Sequence, residues 1–496
     1  MENSAAPLLL VYKQSAGAAE ENRKLNPSSL SSSLSIFASE VWTETKLIWY
    51  IAGPTILTTV LQFSLGFITQ SLVGHLGTIE LAAVGIQTNV IGGIGYGVMM
   101  GMGSALETLC GQAYGAGRLD MMGIYMQRSW LILMGTALVL TPVYVLAAPI
   151  LKLLGQNTAV ADLAGKFSLW MLPELYGYAL NFPTQKFLQA QSKVMPMTWI
   201  SLIAVVFHGV MSWVFIYKLG LGLVGAAIIL NLSFWFIAVG QIVYVVYWCN
   251  DAWSGLSWLA FCDLGGFVVM SIASGVMICL EYWTYMLLII LAGLLKNAEL
   301  QIDAATICMN LQACVFMIPL GFLAASSVRV SNELGAGHPR IAKFSVWVMV
   351  AISVIIQITC TVVLIIARNQ FPVLFTDDKR VIAEVSRLIF FLSASVLLSS
   401  IQPILSGLAI GAGWQTMVAF INIGSYYLVG MTVGCVLGFK FNFGLEGLWG
   451  GVIIGIAVQT VILLVITLRT NWEKQAALAK ERITNWGGSA EDPLLD

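Results

Sequence analysis

The sequence predicts an all-α polytopic membrane protein, with twelve transmembrane helices in two pseudo-symmetric six-helix lobes. Three observations carry that prediction. Of 496 residues, 58% are hydrophobic and only 10% charged, whereas a soluble domain carries about 25% charged residues. The apolar residues fall in blocks of roughly 20 to 28 between short polar breaks, the length a bilayer core demands. Short motifs also recur at a spacing near 220 residues. Continuous apolar runs, rather than period-two alternation, select helices over a closed barrel, the other structure that satisfies every backbone polar group in lipid.

In chain order, residues 1–40 are polar, with the serine run "SSLSSSLS", and are expected to form a flexible cytosolic tail. Twelve spans follow, near 47–72, 80–108, 121–148, 163–190, 195–217, 223–248, 264–294, 299–325, 341–367, 381–412, 414–438 and 444–469. They divide into an amino lobe (41–250), a loop (251–263) and a carboxyl lobe (264–470). Residues 471–496 open on "NWEKQAALAKERITNW", a mixed-charge sequence expected to form a solvated cytosolic helix. An even span count puts both termini on one side. Of the 24 Lys and Arg residues, fifteen fall on that side and nine opposite, so the termini are expected to be cytosolic.

"GMGSALETLCGQAYGAGR" (101–118) ends span two and "GFLAASSVRVSNELGAGH" (321–338) ends span eight. They align through Gly101/Gly321, Ala105/Ala325 and two Gly-Ala-Gly triplets. The same offset pairs Pro183 with Pro403. Offsets of 222 and 219 pair "GLVG" (222–225) with "GLEG" (444–447) and "IEL" (79–81) with "AEL" (298–300). Four matches in chain order at nearly one offset mark a parallel repeat. Two such halves enclose a central cavity and open it to alternate sides by rocking, which points to a transporter. Pro54, Pro183 and Pro403 lie inside spans and are candidate hinges or kinks.

Acidic residues within spans are rare and mark function by default. The candidates here are Glu107, Glu174, Glu281 and Asp303, with Glu299 at a span edge. Glu107, beside the glycine-rich loop, is expected to make a structural contact, and Glu299 to be solvated. Glu281 lies about halfway along span seven, with no Lys or Arg within a helical turn. A carboxylate so placed keeps its proton unless water or a partner reaches it. A proton-coupled carrier needs such a group, with a proton affinity that depends on which way the cavity faces. Asp303 lies one turn into span eight, roughly 10 Å from Glu281 in depth. Asn310, seven residues on, shares its face, so a polar track from Asp303 through Asn310 to Glu281 is expected.

At the 219 offset, Glu281 corresponds to Gln62 and Asp303 to Val84. The amino half therefore lacks both charges, and proton coupling is expected at Glu281 and Asp303. Gln62, Asn89, Asn181 and Asn231 are available as neutral hydrogen-bonding groups for substrate. Glu174 is mid-span in the amino half, and local pairing, cation binding and titration all remain open for it. Tyr285 shares the face of Glu281, while Tyr282 and Trp283 point elsewhere. With the neighbouring methionines they give an adaptable aromatic wall suited to bulky planar organic molecules. The candidate cavity residues are thus Asn310, Tyr285, Trp283, Gln62, Asn181 and Glu174.

"ETLCGQAYGAG" (107–117), "CLE" (279–281), "IDAATICMN" (302–310), "VRVSNELGAGHPR" (328–340) and "QPILSGLAIGAGWQ" (402–415) resemble eukaryotic multidrug and toxic compound extrusion (MATE) transporters, and in particular their plant detoxification branch. The resemblance covers residues 40–485, and the carboxyl half is similar to the branch that includes vacuolar flavonoid/proton antiporters. It implies the MATE fold, antiport of organic compounds against protons, and acidic coupling residues in the second lobe, matching Glu281 and Asp303. The chain departs from relatives at Met286, where some carry an acid, and at Glu174, where many plant relatives carry Gln.

The expected function is proton-coupled export of bulky organic compounds (flavonoids, alkaloids, other secondary metabolites or xenobiotics) from the cytosol by alternating access. Sodium coupling is the alternative that the residues alone do not separate. A receptor or channel leaves the repeat unexplained. The eight scattered cysteines and three distant histidines offer no metal or catalytic constellation, so no enzyme activity and no cofactor beyond the coupling proton are expected. A net charge of −1 gives no electrostatic case for nucleic acid. The expected partners are membrane lipids, small organic substrates and protons, with the chain a monomer. The vacuolar membrane is favoured over the plasma membrane; leucine pairs in "APLLL" (6–10) and "EDPLLD" (491–496) resemble sorting signals.

Overall fold

The computed structural model describes residues 30–295, 298–376 and 378–486. Both leucine pairs, and the expected tail up to residue 29, lie outside these. The described residues form helices and connecting turns, with no strand among them. The crossing helices, in order, are α1 (Leu30–Val73), α2 (Thr78–Gly115), α3 (Leu119–Val145), α4 (Thr158–Trp170 and Leu172–Ala190), α5 (Met195–Lys218), α6 (Gly222–Trp248), α7 (Leu264–Ala292), α8 (Ala298–Gly335), α9 (Pro339–Ile366), α10 (Lys379–Ala412), α11 (Gln415–Lys440) and α12 (Gly444–Arg469). A shorter helix, α13 (Trp472–Trp486), follows.

Eleven of these are long and apolar enough to cross a membrane. The exception is α4, which breaks at Met171 and buries Glu174, Asn181, Gln185 and Gln189 in its second segment. Its polar face is covered by protein, so low hydropathy and a central place in the bundle go together. α1 starts at Leu30, ten residues inside the segment expected as a tail.

The repeat is written into the backbone. Left-handed residues occur in matched pairs at offsets of 220 to 222: Gly117 with Gly337, Ser192 with Gly413, Gly220 with Asn442, and Gly222 with Gly444. α5 and α11 both end in a π-helical turn, Val214–Lys218 and Val436–Lys440, again 222 apart. Gly111 faces Ser331, its own counterpart, so the pseudo-twofold axis runs between the carboxyl ends of α2 and α8. There Gly115 meets the Asn332 backbone and Gly335 meets the Gln112 backbone, two copies of one contact. Only glycine permits this approach of backbones.

The hydrogen bonds joining the halves gather at this end, which also carries α13. Thr108 donates to the Ile410 carbonyl (2.5 Å), Gln112 to the Gly411 carbonyl (3.0 Å) and Asn332 to the Ala190 carbonyl (3.1 Å). Arg329 of α8 grips Glu44 of α1 through two bonds of 2.9 and 3.0 Å and also pairs with Glu333. Further from this end, Ile94, Trp283, Met286, Leu287, Ile290 and Tyr427 line a cavity of about 250 Å³ between α2, α7 and α11. The halves are thus shut at the end bearing α13 and leave space beyond it.

The three candidate hinge prolines differ in setting. Pro54 and Pro183 sit within continuous helix. Pro403 sits in the first turn of a new segment, Gln402–Ala412, after α10 breaks at residues 399–401. A proline there forfeits no helical hydrogen bond. Pro142 in α3 and Pro319 in α8 are two further intrahelical prolines.

Candidate functional site

Glu281 is the centre of a polar cluster built from four helices. Its Oε1 accepts hydrogen bonds from Ser406 Oγ on α10 (3.3 Å), Asn422 Nδ2 on α11 (3.1 Å) and Gln459 Nε2 on α12 (3.2 Å). Gln402 donates to Ser406 (3.1 Å), and Gln459 also donates to Asn422 Oδ1 (2.7 Å). The Tyr426 hydroxyl donates to Gln459 Oε1 (2.5 Å), and Tyr427 donates to the Leu280 carbonyl (3.0 Å). Asn422, Gln459, Tyr426, Gln402 and Ser406 are all buried. These donors are neutral. Among the described residues no lysine, arginine or histidine pairs with Glu281, so it is a carboxyl group held by amides and hydroxyls rather than by an ion pair.

The amino half keeps one neutral hydrogen bond at the equivalent place. Gln62 Nε2 donates to Ser201 Oγ (3.3 Å). Gln62 is 219 residues before Glu281 and Ser201 is 221 before Asn422, so the two hydrogen bonds occupy equivalent places. Residue 237, the counterpart of Gln459, is a buried isoleucine.

The other expected residues are placed as follows. Tyr285 accepts a hydrogen bond from Gln312 of α8 (2.9 Å). Trp283, 39% exposed, lines the 250 Å³ cavity with Met286. Asp303 and Asn310 lie exposed on α8, and among the described residues no hydrogen bond joins them to Glu281. The reason lies in packing: α7 rests chiefly on α2 and α11 rather than on its hairpin partner α8. Glu281's partners therefore come from α10, α11 and α12. Glu107 forms a buried ion pair with Lys186, a structural contact near the closed end.

Glu174 is buried in the amino half, where Tyr178 donates to its Oε1 (2.6 Å). Tyr178 in turn packs edge-on against Tyr96 and Phe234. Asn181 is buried and accepts from Gln185 (3.4 Å). Sequence reasoning missed Asn422, Gln459 and Tyr426. Their signal was a polar side chain at mid-depth in an otherwise apolar block, plainest for Gln459 in the strongly apolar α12.

Comparisons with known proteins bear on the family and the fold. The MatE family model matches the chain twice, over residues 54–214 and 273–436, and these limits are themselves 219 and 222 apart. Protein DETOXIFICATION 33 of Arabidopsis thaliana is 52% identical over 92% of this chain and 95% of its own length. Protein DETOXIFICATION 30 of the same plant is 50% identical over 93% of each. The crystal structure of the eukaryotic MATE transporter AtDTX14 superposes with a TM-score of 0.86 at 36% identity, covering 89% of this chain and 99% of that one. The Vibrio cholerae transporter VcmN in its bent form shares the fold alone, with a TM-score of 0.73 at 19% identity over 88% of this chain and 99% of that one. Matched twice over most of its length, and close to the plant detoxification proteins, the chain belongs to the MatE family of multi-pass membrane efflux transporters.

Proposed function

We propose that the chain is a proton-coupled antiporter that exports bulky organic compounds from the cytosol, with Glu281 as the group that takes up and releases the coupling proton. The observation that carries this is the asymmetry of the repeat: a carboxyl group that accepts from Asn422 stands in one half where a neutral amide that donates to Ser201 stands in the other. A carboxyl group held only by neutral donors changes charge easily when its surroundings change. Asp303, exposed on α8, supplies a second titratable group along the route to Glu281 when the halves rearrange. Trp283 and Tyr427, which line the cavity, favour planar aromatic molecules such as flavonoids or alkaloids.

The termini and α13 are cytosolic, so the closed end faces the cytosol and the described state has its cavity towards the vacuolar lumen. The transporter acts as a monomer in the vacuolar membrane. In proteoliposomes, an imposed proton gradient should drive uptake of a fluorescent polyphenol, and Glu281→Gln should abolish that uptake while leaving substrate binding measurable. Uptake driven equally by a sodium gradient at constant pH would replace the proton with sodium. Wild-type uptake by Glu281→Gln would remove Glu281 from the mechanism.

A further inference from the structure

The donors around Glu281 form a chain with a fixed direction. It starts at the backbone carbonyl of Met277, which can only accept. Asn422 Nδ2 donates to it (3.0 Å), which fixes that amide and turns Asn422 Oδ1 towards Gln459. Gln459 Nε2 must then supply the hydrogen to Oδ1 (2.7 Å), so its own oxygen points the other way, where the Tyr426 hydroxyl meets it at 2.5 Å. With both amides fixed, the remaining hydrogen on each reaches one atom, Oε1 of Glu281. A flipped Gln459 would bring its oxygen against two other oxygens.

We propose that Asn422, Gln459 and Tyr426 are positioning residues: a one-way relay, anchored on the Met277 carbonyl, that holds two amide N–H groups on Glu281 and so sets the pH at which it gives up its proton. The proposal rests on the proton-coupled reading above. Donors reward the carboxylate over the neutral acid, and bonded amides polarise one another so that each strengthens the next. Gln459 and Asn422 stand on α12 and α11, while Glu281 and Met277 stand on α7. A shift of α7 against α11 and α12 would therefore remove both donors together.

Among the described residues, the other titratable side chains near enough to act on Glu281 are phenols, Tyr285 on its own helix and Tyr426 on α11. Tyr427 of α11 reaches only the Leu280 carbonyl. The facing positions on α10 and α12 are the neutral Gln402, Ser406 and Gln459.

The test is the pH dependence of gradient-driven uptake in proteoliposomes, together with infrared titration of the protonated carboxyl band in detergent. The spectrum of Glu281→Gln serves as the baseline. Gln459→Leu removes one donor outright and should move both midpoints to higher pH by about one unit, a tenfold change in proton affinity. Tyr426→Phe keeps the donor but frees the Gln459 oxygen, and should move them the same way by less. Thr460→Val loses a buried hydroxyl beside Gln459 that bonds only the Ile456 carbonyl of its own helix (2.7 Å), outside the relay, and should move neither. The relay is overturned if Gln459→Leu and Tyr426→Phe keep wild-type midpoints while Glu281→Gln abolishes coupling. It is equally overturned if Thr460→Val shifts them as far. If Glu281→Gln itself still couples, the broader reading fails instead.

Discussion

Replacing Gly335 by alanine puts a methyl carbon 2.7 Å from Cα of Gln112, and the same change at Gly115 puts one 2.8 Å from the carbonyl carbon of Asn332. Non-bonded carbons settle at about 3.5–4.0 Å, so α2 and α8 must part by roughly 1 Å. The obstructing atoms are backbone, and no rotamer change relieves the contact. Overpacking of this kind costs about 1–3 kcal/mol. In alternating access that cost falls on the state closed at the α13 end and spares the state open there. A difference of this size moves the ratio of the two states by about 5- to 150-fold. Spin labels at Asp120→Cys and Arg340→Cys, both exposed at this end and one in each half, report the separation by pulsed electron resonance. Gly115→Ala/Gly335→Ala should enlarge the long-distance population and slow uptake. A folded double variant with the wild-type distance distribution and wild-type uptake would refute the claim that this glycine contact governs closure.

The ion pair above the same contact should matter in parallel. Glu44→Gln leaves Arg329 with Glu333 as its buried carboxylate and should lower stability by about 3 kcal/mol, seen as a reduced melting temperature in detergent. α13 clasps both halves: Arg482 donates to Gln112 of α2 (2.9 Å), Arg128 of α3 to the Trp486 carbonyl (3.4 Å), and Trp486 packs on Phe267 of α7. Truncation after residue 470 should therefore widen the Asp120→Cys/Arg340→Cys distances without unfolding the bundle; unchanged distances count against a clasp. At the other end, Asp378 caps α10 by accepting from the Arg380 amide (2.8 Å). The hydrogen bonds from Arg380 hold its carboxyl below the usual range. The cap is thus fully present above the ordinary aspartate range and is lost only as pH falls through the lowered value. Hydrogen exchange in the first turn of α10, followed down in pH, should stay protected past the point where a free aspartate protonates.

The helices and their order are legible because a bilayer imposes block lengths that survive any tertiary detail. The repeat is legible for a different reason: its matched Gly-Ala-Gly loops need the left-handed glycines Gly117 and Gly337. Glu281 stands out by its cost in hydrocarbon alone. Its partners do not, since chain neighbours are a poor guide to spatial neighbours in this bundle. α7 leaves α8 to pack on α2 and α11, and α1 likewise packs on α5 and α8. A track through Asn310 follows from hairpin adjacency, whereas the structure assembles Ser406, Asn422 and Gln459 from helices more than a hundred residues away. α4 reads as an ordinary span until its polar face is seen buried within the bundle, and the helical start at Leu30 has no apolar block to announce it.

The equivalence of Gln62–Ser201 and Glu281–Asn422 makes a stricter demand on the proposed mechanism. If position alone made Glu281 a coupling site, Gln62→Glu should create a second one, and Gln62→Glu/Glu281→Gln should still couple. The structure argues otherwise. Glu281 has three donors on one oxygen, and the relay that supplies two of them needs both an amide at 459 and an anchor for it. At the equivalent place in the amino half stands Ile237, fully buried, so a carboxyl group at 62 would find Ser201 and little else. One neutral donor does not offset the loss of hydration of a charged carboxylate, and the introduced group should hold its proton throughout the cycle. Gln62→Glu should therefore keep the wild-type ratio of protons to substrate, measured with a pH dye against substrate flux, and the double variant should remain uncoupled. Restored proton-driven uptake in the double variant would mean that depth in the membrane, not the donor set, makes the coupling site.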